Sequence, residues 1–274
     1  MEIKNHRLYQ NGTQVPYQLS PNRKTSRPSY DFLIVHYTAG RNAESSVNWL
    51  TNPNSKASAH LIIGRDVSIT QLVPFNQIAW HAGESSWNGI SGINKHSIGI
   101  ELDNAGKMQA HGDFWLSWFG KLYPSEEVIE AKHRNEEEKA GWHLFTEEQL
   151  TVAKEVAALI VNKYNIREVL GHDDISPYRK VDPGPAFPML SFRSKVLGRK
   201  EDTPLIYKTT VDLNIRVGPG AQYSKLSETP LPQNTRVDIL RINGSWRFVD
   251  VLDNLDENLG LQGWVHGRYL AKVI

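Results

Sequence analysis

Residues 31–37 read DFLIVHY. Four of the seven, Phe32–Val35, form an unbroken apolar run, and the polar/apolar alternation of a half-buried strand is missing. Such a run reads as a β-strand covered on both faces, the arrangement of a sheet packed between helices. The neighbouring sequence agrees. AGRNAESSVNWLTNP (39–53) places Asn42 as the cap of a short helix that ends before Pro53. SAHLIIG (58–64) and VSITQLV (67–73) read as adjacent strands joined by a turn at Arg65-Asp66, and HSIGIEL (96–102) as another buried strand. TEEQL at 146 opens the clearest helix: Thr146 and Gln149 have capping-box spacing, and Leu150, Ala153, Ala157, Ile160 and Tyr164 share one face. REVLGH (167–172) is a strand running into a loop. Strands alternating with helices define an α/β fold with a mixed central sheet flanked by helices.

The stretch from Ala105 to Trp142 has a different texture. Trp115, Trp118, Phe119, Tyr123 and Trp142 are scattered through it, as local packing or as one wall of a groove. The charged run EAKHRNEEEK (130–139) reads as a solvated helix face. GRKEDTP (198–204) is polar, carries Gly and Pro, and reads as a linker. Beyond it TVDLNIRV, RVDILRI, SWRFVDV and GWVHGRYL are short apolar runs separated by Gly, Asn and Pro turns, the pattern of a small all-β barrel over 205–274. The expected organisation is therefore a main domain over 1–197, including an N-terminal extension, then the linker and the barrel.

Composition narrows the chemistry. The chain has 274 residues, 39% hydrophobic and 22% charged, which suits a globular protein with a substantial core. A net charge of +1 recruits neither nucleic acid nor an anionic membrane. There is no cysteine, so disulfides and thiolate nucleophiles are excluded and a metal must be held by His, Asp or Glu. The opening MEIKNHRLYQNG lacks the basic-then-apolar pattern of a signal peptide, and no run reaches membrane-spanning length.

Two histidines sit at strand ends: His36 in the quoted run and His172 after the apolar REVLG. Asp182 follows in VDPGPAFP (181–188), where three prolines and a glycine exclude helix and central strand. Two imidazoles and one carboxylate form a workable three-ligand zinc set with a fourth position left for water. Spacing alone leaves the bland alternative open, because a strand-end histidine is as a rule structural.

FLIVHYTAG, SAHLIIGRDVSITQLVPF, IAWHAGES, SIGIEL and GHDDISPYRKVDPGPAFP occur in that order over roughly residues 30–190. Together they resemble the zinc-dependent N-acetylmuramoyl-L-alanine amidases of the type-2 family, which share their fold with phage lysozymes and the peptidoglycan recognition proteins. LNIRVGPG (213–220) and GWVHGRYL (263–270) resemble a bacterial SH3-type cell-wall domain. The first resemblance implies Zn²⁺ held by His36, His172 and Asp182. Phage-type members carry cysteine where Asp182 stands, so this chain follows the aspartate branch. It also implies Glu101 as general base and Lys180 as the cation facing the oxyanion. His81, in AWHAG, resembles a family residue lining the substrate cleft, and Trp80 beside it reads as a flat face for sugar or the lactyl group, with core packing as the alternative. The stiff proline loop then serves to aim one carboxylate.

The remaining histidines are weighed singly. His60 reads as a satisfied core or supporting residue and His96 is ambiguous. His6, His111, His133, His143 and His266 read as ordinary. Asp174 reads as a turn cap, with Asp173 or Asp174 accepting a hydrogen bond from a ligand imidazole as the alternative.

The implied activity is zinc-dependent hydrolysis of the amide between the lactyl group of N-acetylmuramic acid and L-alanine, with peptidoglycan or muropeptides as partner. A non-catalytic muropeptide binder of the same fold is the alternative, disfavoured because no ligand position is substituted. A wall-binding barrel points to polymeric substrate in the bacterial cell envelope. The missing signal peptide keeps a cytosolic enzyme or a phage endolysin in view. Oligomeric state, stem-peptide preference and preference for 1,6-anhydro ends are not legible.

Overall fold

The computed structural model describes residues 1–197, 206–227, 229–253 and 261–273; the expected linker, 198–204, lies outside the described residues. The chain divides into two compact units, Met1–Glu130 with Ala140–Arg199, and Ala131–Lys139 with Lys200–Ile274.

The first unit is built on a five-stranded sheet. Its strands are β1 (Phe32–Tyr37), β2 (Leu61–Ile63), β3 (Ile69–Gln71), β4 (Ser97–Leu102) and β5 (Glu168–Gly171). Their order is β5-β1-β4-β2-β3. β5, β1, β4 and β2 run parallel, and β3 pairs antiparallel with β2 at the edge. The mixed sheet read from the sequence is present.

Side-chain alternation sorts the sheet into two faces. Leu33 and Val35 of β1, and Ile98, Ile100 and Leu102 of β4, pack with Leu150, Ala153, Val156, Ala157 and Ile160 of helix α2 (Glu147–Tyr164). Phe32 and Ile34 point the other way, onto Ala82, Ile93, Leu170 and Ile175. His36 therefore falls on the face opposite α2, as do Ser97, Gly99 and Glu101 of β4. This phase puts every polar residue of the two strands on one side.

Helix α2 begins where the sequence placed it. Thr146 Oγ1 accepts from the Gln149 amide. The Gln149 side chain does not close the capping box; its Nε2 donates to the carbonyls of Ile63 and Asp103, tying the ends of β2 and β4 to the helix. A short helix, α1 (Ala43–Leu50), follows β1 and is capped by Asn42 Oδ1 on the Ser45 amide, as read.

Residues 107–143 depart from expectation. They form a five-stranded antiparallel sheet in the order Leu122–Pro124, Phe114–Ser117, Lys107–His111, Lys139–His143, Val128–Lys132. The run 130–139 is strand, turn and strand, not a solvated helix face. Its charges carry no period, whereas the flanking apolar pairs, Val128-Ile129 and Gly141-Trp142, suit pleated backbone and bury Val128 and Trp142.

The C-terminal unit holds a five-stranded antiparallel sheet in the order Gln262–His266, Trp246–Val251, Arg236–Asn243, Ile206–Thr209, Leu270–Lys272. Leu213, Ile215, Leu231, Val237, Val249, Val251, Leu261 and Val265 form its core. TVDLNIRV contributes isolated bridges at Leu213 and Arg216 rather than a continuous strand. Among the described residues no helix is long and apolar enough to cross a membrane.

Candidate metal centre and cleft

β1 ends by delivering His36, β5 runs straight into His172, and the proline loop returns Asp182 to both. His36 Nδ1 lies 3.0 Å from His172 Nδ1 and 2.9 Å from Asp182 Oδ2. His172 Nδ1 lies 3.0 Å from the same oxygen. All three residues are buried, and among the described residues they are the one cluster whose donor atoms could hold a metal ion. The loop is fixed locally. The Asp173 amide donates to the Asp182 carbonyl at 2.9 Å. Asp174 Oδ2 takes the Gly171 amide at 2.7 Å and the Arg193 guanidinium at 2.6 Å. Asp174 is thus a cap, on the turn before His172 rather than the one after it.

The hydrogen bonds around the trio assign its protons. His172 Nε2 faces the Ala82 carbonyl at 3.1 Å, which only accepts, so that nitrogen carries the hydrogen and Nδ1 is a bare lone pair. A second chain gives the same result for His36. Ser97 Oγ donates to the Ile93 carbonyl at 2.7 Å, so it accepts from His81 Nε2 at 3.1 Å. His81 Nδ1 is then the acceptor for His36 Nε2–H at 3.0 Å. His36 Nδ1 is left bare. Two lone pairs and a carboxylate oxygen therefore converge with no proton among them, an arrangement that repels itself unless a cation sits there. Edges of about 3 Å leave a point roughly 2.0–2.2 Å from all three donors, a little tighter than the ~3.3–3.6 Å edges of an ideal tetrahedral zinc site. The donor set fits the metal that the sequence implied.

Electrostatics run in the same sense. Burial, then the neighbouring His172, lowers the His36 pKa to about 4, against the opposing pull of Asp182. Burial also holds His81 well below its ordinary value, with His36 adding to the effect. Burial alone would raise the Asp182 carboxyl, but positive charge at the His172 and His36 positions holds it well below the carboxylate range, the effect that a cation held by the trio would have. Glu101 goes the opposite way: burial first, then the charge of Asp182, raises it well above that range, with Lys180 opposing. Its Oε2 is buried and accepts no hydrogen bond.

An open cleft of about 730 Å³ is lined by the trio together with Glu101, Lys180, Trp80 and His81. All seven residues singled out in the sequence therefore meet in one place. His81 is wedged between His36 and Ser97, so it touches the trio directly as well as the cleft. It owes that position to Gly99, where a Cβ would lie 2.4 Å from the imidazole. His60 is fully buried and satisfied, with Nε2 donating to the Gln77 carbonyl at 2.9 Å and Nδ1 accepting from the Gly99 amide at 3.0 Å. His96 sits apart, 3.1 Å from Asp31.

Arg179 and Trp49 at the site were not singled out in the sequence, whereas Trp118 stood among the aromatics read there as one wall of a groove. Arg179 Nη2 donates to the carbonyls of Ala82 and Glu84 and so clamps the loop that carries His172's partner; its place next to Lys180 was the available signal. Trp118 and Trp49 also line the cleft and are 76% and 59% exposed. Trp118 Nε1 donates to the Ala39 carbonyl at 2.7 Å, which fixes the ring while leaving it in solvent.

A buried two-histidine, one-carboxylate trio beside a high-pKa carboxyl group, open to a cleft, has the layout of a mononuclear metallohydrolase centre. Comparison with known proteins supplies the family. The profile described as N-acetylmuramoyl-L-alanine amidase (Amidase_2) matches residues 25–185, and the chain belongs to that family. The N-acetylmuramoyl-L-alanine amidase AmiD of Escherichia coli is 32% identical over 197 residues, 68% of this chain and 61% of that protein. The 1,6-anhydro-N-acetylmuramyl-L-alanine amidase AmpD of Escherichia coli is 33% identical over 150 residues, 54% of this chain and 62% of that protein. The chain thus spans about three fifths of the length of these curated relatives. A crystal structure of an AmpD derivative superposes with a TM-score of 0.51 at 26% identity, covering 71% of this chain and 99% of that one. AmiD has been solved with anhydro-N-acetylmuramic acid-L-Ala-D-γ-Glu-L-Lys (TM-score 0.47, 28% identity, 70% of this chain and 66% of that one).

Proposed function

We propose that this protein is a zinc-dependent N-acetylmuramoyl-L-alanine amidase that hydrolyses the bond between the muramic acid lactyl group and L-alanine of peptidoglycan stem peptides. The observation that carries the reading is the proton assignment of the trio, which leaves three facing electron pairs for one cation. Family membership supports it, as do the names of the relatives.

In this reading His36 and His172 bind through Nδ1 and Asp182 through one oxygen. A bound Zn²⁺ supplies Lewis acidity towards a water and towards the scissile carbonyl. Glu101 takes the proton that the water gives up and delivers one to the alanine nitrogen as the C–N bond breaks, so the products are a lactyl carboxylate and a free amine. A carboxyl group held well above its ordinary range suits a group that must both accept and return a proton near neutrality. Lys180 lends positive charge to the oxygen of the tetrahedral intermediate. Trp80 and His81 form part of the cleft wall that substrate meets, and His81 also holds the His36 ring in its binding tautomer.

The C-terminal unit is assigned as the SH3-type wall-binding domain that LNIRVGPG and GWVHGRYL resemble. Within it Gly263 packs against Ile215, so the two segments share a core. Domain limits of 1–197 and 205–274 and a place in the cell envelope follow from the same reading.

Digestion of purified sacculi and of soluble muropeptides, followed by mass analysis and labelling of new amines, tests the proposal. Free stem peptides with an alanine amino terminus are expected, with loss on chelation and recovery with Zn²⁺. Intact lactyl-alanine bonds in the zinc-loaded protein would overturn it.

A further inference from the structure

Beside the main cleft lies a second, smaller concavity of about 70 Å³, and Gly40 and Arg41 line both. Its other walls include Arg65, Asp103, Lys121, Glu127 and His143. Lys121, Glu127 and His143 come from the 107–143 segment, whose Ser117–Leu122 turn also sends Trp118 and Phe119 to the main cleft.

The pocket has more donors than it uses. Three cations face two carboxylates, and none of Arg41, Arg65 or Lys121 forms an ion pair among the described residues. Arg65 Nη1 donates to the Leu144 carbonyl at 2.7 Å. Arg41 lies over the Phe119 ring and Lys121 over the Tyr123 ring, contacts that hold a cation without neutralising it. His143 adds a fourth donor. Its Nδ1 accepts from the Ala105 amide at 3.2 Å, so the neutral ring carries its hydrogen on Nε2. That Nε2 is buried and makes no hydrogen bond. The nearest acceptor is Glu127 Oε2 at 3.6 Å, beyond hydrogen-bonding distance, on a half-exposed side chain. A buried donor left unsatisfied is unfavourable, and a planar anion carrying several lone pairs relieves it. The volume holds a carboxylate and about one water.

We propose that this pocket is a specificity subsite that takes a free carboxylate of the stem peptide, read by Arg41, Arg65, Lys121 and His143. The inference rests on the amidase reading above, because the shared Gly40–Arg41 wall connects the subsite to the cleft where the scissile bond lies. A stem whose glutamate is linked through its γ-carboxyl leaves the α-carboxylate free on the second residue from that bond, the first anion that a bound peptide can offer.

The test compares N-acetylmuramoyl-L-Ala-D-γ-Glu-L-Lys with the same compound amidated at the glutamate α-carboxyl, on wild type and on Lys121→Met and Arg41→Met, both exposed positions. Wild type is expected to favour the acid through KM by tenfold or more, with kcat similar for the two. Each variant is expected to raise KM for the acid and to collapse the preference. Equal KM values in wild type, or variants that lose activity on both compounds alike, would overturn the subsite. If wild type cuts neither compound, the amidase reading fails instead. Calorimetric titration with the same pair then decides the subsite alone: tighter binding of the acid, lost in Lys121→Met, supports it, and equal binding overturns it.

Discussion

His36 and Glu101 are register partners on the adjacent parallel strands β1 and β4, with their side chains on the same face of the sheet. The pairing sets a titratable carboxyl group beside the first residue of the trio without any loop to position it. The same environment treats two carboxyls in opposite ways. Asp182, between the two imidazoles, is held low; Glu101, half-buried with an enclosed Oε2 that no donor reaches, is held high. A pair pushed apart in this manner marks one group as permanently charged and the other as proton-carrying.

Glu101→Gln keeps the shape and removes the exchangeable proton. The expected result is a fall in kcat of about 10²–10⁴-fold, the usual range for a lost general base. Metal content should be unchanged and the unfolding midpoint unchanged or higher, since a buried carboxyl is replaced by a neutral amide. Activity within threefold of wild type would remove Glu101 from the mechanism.

Zinc should stabilise the folded protein by mass action, about 2.7 kcal/mol at a hundredfold excess over the dissociation constant. His172→Ala and Asp182→Ala should each abolish the zinc-dependent rise in melting temperature along with the activity. Differential scanning fluorimetry with and without chelator reads this directly. A variant that keeps both the shift and the stoichiometric metal would exclude that residue from the trio.

The relay from His36 through His81 and Ser97 to the Ile93 carbonyl fixes one ligand tautomer. His81→Ala should weaken zinc binding by about 10–100-fold in a chelator competition, the usual effect of losing such a partner. Ser97→Ala should act in the same direction and by less. Unaltered zinc affinity in both would show that the chain of hydrogen bonds is incidental.

Acid should unfold the metal-free protein early. Burial lowers the pKa of His60 to about 4 and of His143 to about 3, while His36 falls to about 4 and His81 well below its ordinary value. Each folded imidazole resists a proton that the unfolded chain binds below pH ~6.5, so their stabilisation is present above that pH and is lost as pH falls towards 4. Glu101 works in the opposite sense, because its folded form keeps a proton that the unfolded form has released. Four imidazoles outweigh it. Unfolding free energies from denaturant titrations should drop steeply from pH 7 to pH 4.5, by a few kcal/mol per pH unit at most. His60→Asn should flatten the slope. A flat profile would contradict the buried neutral imidazoles.

Much of this was visible in the sequence where one residue's environment is set by its neighbours. The run at 31–37 gave the doubly covered strand, and Thr146 with the apolar stripe behind it gave α2. The trio, Glu101 and Lys180 came from ordered motifs rather than from spacing. What the sequence hid depends on distant pairing. The sheet over 107–143 has no clean two-residue period, and its charges sit at a turn. His143 looked ordinary because its partners come from residues 105 and 127 and from the Arg65 region. His81 could be placed at the cleft, but its grip on His36 needed Ser97 and Gly99 brought beneath it by β4.

Gly99 sets a boundary for anyone re-engineering this cleft. Even one added methyl on that strand would displace the imidazole above it. A library that varies position 99 would thus return proteins that still fold around α2 yet hold their ion poorly. Such losses would masquerade as defects in substrate selection, although Gly99 does not line the cleft.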